Sequence, residues 1–107
     1  MNEVREDKRI FAGSDQAHTG IVAVAFSGPV AALTPLMVEA SSGAMVAWDG
    51  QNAGQAAAVL ALDHDGVSSR ATVYKTGTFD IDAVLWPDAA DTVKKLNAFA
   101  GSAISVA

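Results

Sequence analysis

Two histidines and a set of aspartates are the side chains of this sequence best suited to build a catalytic or metal site. The sequence has no cysteine, which excludes thiolate nucleophiles, thiolate–metal sites and disulfides. The densest polar cluster is Asp63-His64-Asp65-Gly66. Neighbouring side chains of an extended chain point to opposite faces, so His64 would face away from both aspartates and the three would not converge on one ion. We therefore predict an ordinary exposed turn over residues 63–69 and no metal site.

The other candidate catalytic groups lack the partners that catalysis requires. His18 has no evident nucleophile or orienting group near it in sequence, so we expect either a packed or hydrogen-bonded ring in a docked segment, or an exposed one. Asp80 and Asp82 could form a carboxylate pair, but Asp80 is also placed to cap a helix. No phosphate-binding glycine loop, Gly-x-Ser-x-Gly or His-Glu-x-x-His motif occurs. The sequence predicts that the protein is not an enzyme and takes no cofactor or metal ion.

Charge and hydropathy exclude two further classes of partner. The net charge is −5 and the seven Lys and Arg residues are scattered, whereas nucleic-acid binding requires clustered basic side chains. No run approaches the roughly 20 apolar residues of a membrane-spanning helix. The first seven residues are too charged for a signal peptide. We therefore expect no direct contact with nucleic acid or membrane, and synthesis in a bacterial cytoplasm.

The length and composition fit one small domain with a thin core. The chain has 107 residues and half of them are hydrophobic, but 22 are alanines, which carry little apolar surface. Small domains with thin cores are often stabilised by association. The composition therefore favours an oligomer without proving one.

The N-terminal segment differs in composition from the rest. Residues 1–9 hold six of the 19 charged side chains, and such a segment cannot bury enough apolar surface to offset the entropy of ordering it. We predict a flexible arm over residues 1–20 and a β-rich domain over residues 21–107. Ile10 and Phe11 follow the charges directly. They could pack on the body of their own chain, or they could anchor the arm to a partner.

The body reads mainly as short strands. Ser41-Ser42-Gly43 separates the runs Leu36–Ala40 and Ala44–Trp48, and this spacing predicts a β-hairpin. The continuous apolar run Ala56–Leu62 predicts a strand covered on both faces. Further strands are predicted at Arg70–Lys75 and Ser102–Val106, where apolar and polar residues alternate.

The last third contains one or two short predicted helices. The first would begin with Asp80 as N-cap and end before Pro87, and its shared apolar face would carry Ile81, Val84 and Leu85. The second would be capped by Asp88 or Asp91 and end near Gly101, with its inward side formed by Val93, Leu96 and Ala100. The fold class is therefore mixed and mainly β, as a single domain with one or two short helices.

Seven strings of residues, taken together, resemble the head decoration proteins of lambda-like tailed bacteriophages. They occur in the order of that family and span nearly the whole chain from residue 9. Each string is weak alone, but seven in order at this chain length are specific. The strings are Arg9-Ile10-Phe11-Ala12-Gly13-Ser14-Asp15, Ala17-His18-Thr19, Leu33-Thr34-Pro35-Leu36-Met37, Val46-Ala47-Trp48-Asp49-Gly50, Tyr74-Lys75-Thr76-Gly77-Thr78-Phe79, Leu85-Trp86-Pro87 and Ala98-Phe99-Ala100-Gly101-Ser102-Ala103-Ile104-Ser105.

The resemblance implies a β-clip-like fold and a homotrimer on the outer surface of the virion capsid. Such a trimer would bind the expanded shell at three-fold and quasi-three-fold positions and stabilise the head against the pressure of packaged DNA. Its partners would be its own copies and the major capsid protein, with which the arm would pair. On this interpretation the residues expected to contact the capsid are Ile10, Phe11, Asp15, His18 and Thr19.

The contacts between subunits are harder to read from the sequence. Trp48 and Trp86 lie at the ends of predicted elements, so each could belong to the core or to the trimer interface.

Two other functions stay open. One is a small structural protein of the phage neck or tail. The other is a nucleotide hydrolase on a similar trimer, which the near absence of arginine outside the arm disfavours because Arg70 stands alone there.

Overall fold

The computed structural model describes residues 11–12 and 16–107, and in this part of the chain strands predominate. The predicted class, mainly β with one or two short helices, is confirmed, with one short helix in the described residues. The elements in chain order are β1 (Thr19–Ala23), β2 (Pro35–Val38), β3 (Met45–Ala47), β4 (Ala56–Leu60), β5 (Arg70–Tyr74), β6 (Gly77–Phe79), α1 (Thr92–Leu96) and β7 (Ile104–Val106).

Five of the strands form an antiparallel sheet in the order β1-β5-β4-β2-β3. Just beyond β1, Val24 forms a bridge with Met45 at the start of β3, and the Ala25 N–H donates to the Met45 carbonyl at 3.0 Å. The two edge strands therefore meet at one corner and the sheet curls on itself. A first apolar cluster fills the inside of this curl; its buried members are Val24, Leu36, Ala58, Leu60, Ala71 and Val73.

A second apolar cluster lies on the other side of β4. It is closed by the parallel pair β6–β7 and by the segment that follows α1. Its buried members are Trp48, Ala56, Val59, Phe79, Val84, Ala90, Ala98, Phe99 and Ile104. Because β4 contributes Ala56 and Val59 to this cluster and Ala58 and Leu60 to the first, the prediction of a strand covered on both faces is confirmed for β4.

The other strand predictions also match the structure. Strands β2 and β3 form the expected hairpin, closed by the Glu39 N–H donating to the Ala44 carbonyl at 2.8 Å. Gly43 takes the left-handed backbone of this turn, with φ 76°, which favours glycine. Strand β5 alternates as predicted and buries Ala71 and Val73.

The first predicted helix, from Asp80 to Pro87, is wrong. The Asp80 carboxylate accepts the N–H of Asp82 at 2.9 Å, which closes a tight local turn instead of capping a helix. The main chain of Ile81 is then used elsewhere, because its N–H donates to the Ala107 carbonyl and its carbonyl accepts the Trp86 indole N–H. These bonds use both main-chain groups of Ile81, so neither is available for a helix.

The second predicted helix exists, but its predicted inward face is wrong. Asp91 caps α1 by accepting the Lys94 N–H at 2.9 Å, whereas Val93 and Leu96 are 66% and 55% exposed, and Ala100 is exposed as well. The buried side chains, Ala98 and Phe99, come after the helix. A helix of five residues is too short to bury a stripe of its own. Gly101 has the expected left-handed backbone, φ 92°, but α1 already ends at Leu96, with Asn97 as its C-cap.

His64 also departs from the prediction of an exposed turn. Its side chain is only 7% exposed and stands edge-on to Phe26, with ring centroids 4.9 Å apart. The Gly66 N–H donates to Nδ1 at 2.9 Å. The remaining ring hydrogen must therefore sit on Nε2, which donates to the Arg70 carbonyl at 3.0 Å. The ring is thus a buried group with both nitrogens bonded.

The two flanking aspartates are exposed, as predicted. Asp63 accepts the Ala32 N–H at 2.7 Å, and Asp65 accepts the N–H groups of Val67 and Ser68 at 2.8 and 3.1 Å. These two bonds, first that of Val67 and then that of Ser68, lower the pKa of Asp65 below its usual value. Both carboxylates are engaged in shaping loops.

Gly66 should tolerate no side chain. Its φ is 82°, and a Cβ atom there would lie 2.3 Å from the Gly28 carbonyl carbon, whereas at Gly43, with φ 76°, a Cβ would meet nothing within 4 Å. We expect Gly43→Ala to lower the free energy of unfolding by about 1 kcal/mol, the cost of the left-handed backbone. Gly66→Ala should cost roughly 3 kcal/mol or more, since the backbones must also separate. Urea unfolding measures both, and equal losses would contradict this packing.

Replacing His64 by phenylalanine should destabilise the fold by about 1–3 kcal/mol, because the Gly66 N–H would lose its acceptor and the Arg70 carbonyl would lose one donor, keeping the bond from the Ser68 hydroxyl. His18→Phe is the matched control. The His18 side chain is exposed and its ring makes no hydrogen bond in the described residues, so a change within about 0.5 kcal/mol is expected. Urea unfolding compares the two variants. Similar losses, or an NMR spectrum showing the His64 ring proton on Nδ1, would refute the assigned bonding.

Candidate functional site

The predicted arm residues fall into two groups. Ile10 and Asp15 lie outside the described residues, so their predicted contacts stay predictions. Phe11, His18 and Thr19 are described, and all three lie along one side of the molecule beside β5 and β6.

Phe11 packs on its own chain. Its ring lies 5.0 Å from that of Phe79 and 5.6 Å from that of Tyr74, the latter at an interplanar angle of 89°. Its main chain bridges to Phe79, and the Ala12 N–H donates to the Thr78 carbonyl at 3.0 Å. This is the first of the two alternatives that the sequence left open. The second alternative, an anchor on a partner, stays a prediction.

Residues 16–18 are held by main-chain bonds. The Thr76 hydroxyl accepts the His18 N–H and donates to the Gln16 carbonyl, both at 2.9 Å. The His18 carbonyl accepts the Lys75 N–H at 2.8 Å. Because the backbone makes all of these bonds, the imidazole of His18 is left on the surface, where it could contact a partner.

Strand β1 begins at Thr19 and therefore inside the predicted arm of residues 1–20. Thr19 pairs with Tyr74 in the register of β1 and β5, and its side chain is exposed. The division into an arm and a body at residue 20 stays a prediction. In the described part, the regular sheet starts one residue before that boundary.

The outer edge of β1 is open. The bonds that flank the strand, from Lys75 to His18 and from Val24 to Ser69, show that even-numbered residues bond to β5. The N–H and C=O groups of Thr19, Ile21 and Ala23 consequently point away from β5. At the Ala23 end this edge meets Met45 of β3, through the Val24–Met45 bridge and the bond from the Ala25 N–H to the Met45 carbonyl. Along Thr19 and Ile21 no other described strand pairs with it. An open edge of this kind can accept an extended strand from another chain.

Apolar side chains that the sequence analysis did not single out surround this edge. Ile21 and Leu62 are 61% and 63% exposed and line the same surface depression beside Arg70 and Thr72. Ile21 lies in the apolar run of residues 20–32, where no polar alternation marks which side chains face out. The exposure of Ile21 follows from the pairing of β1 with β5, so the local sequence pattern does not predict it.

The two tryptophans meet in the second apolar cluster. Their ring centroids are 6.1 Å apart at 75°. Trp48 is 2% exposed and its indole N–H donates to the Asn52 carbonyl at 3.2 Å, while Trp86 is half-buried. Both are core residues of the single chain. Their predicted place in a trimer interface stays a prediction, and of the two only Trp86 has appreciable surface to offer.

The described residues offer neither a metal centre nor a membrane span. No group of three His, Asp or Glu side chains within 11–12 and 16–107 is arranged to hold a metal ion. The helix of this part of the chain is too short to cross a bilayer. The distinctive feature of the surface is therefore an open strand edge with a segment leading into it.

Comparisons of the sequence with a family profile and with known proteins give matches that agree with one another. The sequence profile of the family described as "Bacteriophage lambda head decoration protein D" matches residues 1–106. A "Head decoration protein" of Enterobacteria phage P21 is 49% identical over 105 residues, which is 98% of this chain and 91% of that protein. A "Putative decoration protein" of Escherichia phage N15 is 43% identical over 107 residues, covering 99% and 97% of the two chains. The chain therefore belongs to the lambda head decoration protein family, the structural proteins that decorate the bacteriophage head.

Proposed function

We propose that this protein forms a homotrimer on the outer surface of the virion capsid. The trimer binds the expanded shell at three-fold and quasi-three-fold positions and stabilises the head against the pressure of packaged DNA. Membership of the decoration family supports a structural role. The observation that supports the mode of binding is the open edge of β1, because this strand begins within the last residues of the predicted arm.

Strand addition accounts for binding without a preformed pocket. The outward N–H and C=O groups of Thr19 and Ile21 can pair with an extended segment of the major capsid protein. The exposed side chain of Ile21 adds apolar contact on the same edge. Ile10 and Phe11 serve as apolar anchors of the arm, and Asp15, His18 and Thr19 supply its polar contacts.

Three copies of the arm explain how contacts that are weak individually can bind the trimer to the shell. Ordering an arm opposes its binding, so one arm alone binds weakly. Once the first arm has docked, the others bind at a high effective concentration, and avidity adds on the order of 10²–10⁴ in affinity. Only a shell whose sites match the spacing of the arms allows all three to engage, which makes the expanded lattice the preferred partner.

Stabilisation of the head then follows from mass action. A protein that binds the intact expanded lattice, and not its ruptured form, shifts the equilibrium toward the intact lattice. The chain has a net charge of −5, which suits an outer surface without contact to the packaged DNA. Assembly takes place in the host cytoplasm with no enzymatic step and no cofactor.

Co-sedimentation with undecorated shells of the phage that encodes the chain tests this function. Saturable binding to expanded shells and little binding to unexpanded procapsids is expected. Equal binding to both would contradict the geometric basis of selectivity. Binding to neither would favour the alternative, a structural role in the neck or tail. The mass of the free protein in solution, measured by light scattering, tests the trimer separately.

Deleting residues 1–10 should weaken shell binding strongly and leave the body folded. Residues 1–9 hold six of the 19 charged side chains, and such a segment adds little apolar burial to a fold, so we expect an unchanged oligomeric mass and a free energy of unfolding within about 0.5 kcal/mol of the full chain. Affinity for expanded shells should fall by roughly 100-fold or more, because each of the three arms loses its anchor Ile10 and avidity multiplies these losses. Full affinity in the shortened chain would refute the role of the arm.

Ile21→Pro tests the open edge of β1. Proline removes the outward N–H of residue 21 and leaves the bonds to β5 intact, which an edge strand tolerates. We expect shell affinity to fall roughly tenfold, which corresponds to the loss of about one uncharged main-chain hydrogen bond to the shell. Ile21→Ala, which keeps the N–H, controls for the lost side chain and should fall less. Equal affinities for the two variants would show that the shell does not pair with this edge.

A further inference from the structure

We propose that in the free protein Phe11 occupies an aromatic slot on its own chain, formed by Tyr74 and Phe79, and that this contact competes with docking of the arm on the shell. The inference rests on the proposed function, in which Phe11 is an anchor on the capsid. It adds a resting state in which that anchor is already occupied.

The slot is formed by side chains that are fixed by the fold. Phe79 is completely buried, and its ring lies 5.2 Å from that of Tyr74. Phe11 completes a triad of rings at 5.0 and 5.6 Å, within the separations at which aromatic pairs attract. Phe79 and Tyr74 belong to strands, whereas Phe11 belongs to the segment ahead of the first strand. Phe11 is therefore the member that can leave while the other two stay in place.

Main-chain pairing holds the ring in the slot. Strand β6 bonds to β7 along one edge. Along its other edge it receives the bridge from Phe11 to Phe79 and the bond from the Ala12 N–H to the Thr78 carbonyl. The segment thus acts as a short third strand of this small sheet. The same main-chain groups would have to part from β6 for the ring to move away.

Competition follows because the ring of Phe11 cannot occupy the slot and contact the capsid at the same time. A partner that binds Phe11 can bind only the fraction of chains whose slot is empty. The apparent affinity is therefore the intrinsic affinity multiplied by that fraction. The contact also keeps an apolar ring out of water until the shell displaces it. The effect on affinity should be moderate, because the ring is only half-buried.

Weakening the slot without altering the arm separates competition from simple anchoring. Tyr74→Ala removes the ring that stands edge-on to Phe11 and should raise affinity for expanded shells roughly 5- to 50-fold. Tyr74→Phe keeps the ring and should bind as the wild type does. Phe11→Ala removes the anchor itself and should bind more weakly than the wild type. If Tyr74→Ala does not unfold cooperatively, Tyr74→Leu, which preserves bulk in β5, replaces it.

A second readout needs no shell. In the free full-length protein, NMR cross-relaxation between the ring protons of Phe11 and those of Tyr74 and Phe79 should be present; its absence would overturn the contact itself. If the contact is present but folded Tyr74 variants bind no tighter than the wild type, competition is refuted and Phe11 only positions the arm. Failure of the wild type to bind expanded shells would instead overturn the proposed function, and NMR would still decide whether the slot is filled.

Discussion

The burial of β4 on both faces is the constraint on which the rest of the structure depends. It is the strand that contributes buried residues to both apolar clusters. Two of its side chains, one in each cluster, are the alanines Ala56 and Ala58, which let neighbouring side chains approach the backbone closely. A chain rich in alanine can therefore fill two small cores, provided that one strand separates them. The curled sheet lies on one side of that strand, and Phe79, Phe99 and the tryptophans lie on the other.

The strand pattern could be predicted from the sequence because its determinants are local. The Ser41-Ser42-Gly43 link, the apolar run at β4 and the alternation in β5 each identify an element without knowledge of the others. The helices were less accessible. Asp80 has the chemistry of a helix cap, but the bonds of Ile81 to Trp86 and to Ala107 involve partners that no local pattern reveals.

The candidate site shows the same division between local and tertiary information. Residue composition marks the first residues as unlike the body, and the resemblance to a family predicts that they form an arm. That Phe11 meets Tyr74, or that His64 turns inward to Gly66 and Arg70, depends on contacts between segments far apart in the chain. The exposure of Ile21 likewise depends on the pairing of β1 with β5. These facts belong to the tertiary fold and had to be read from it.

The antiparallel pairing of β1 with β5 has a mechanical consequence. The register runs without interruption from Thr19 opposite Tyr74 to Ala23 opposite Arg70, and the strand continues directly from the segment proposed to grip the shell. Tension applied to that segment along the strand direction would load the interstrand bonds side by side, in shear, so that they must fail together. Tension applied across the strand would open them one after another. A lattice that pulls the anchor along β1 therefore loads the bonds of the whole strand at once.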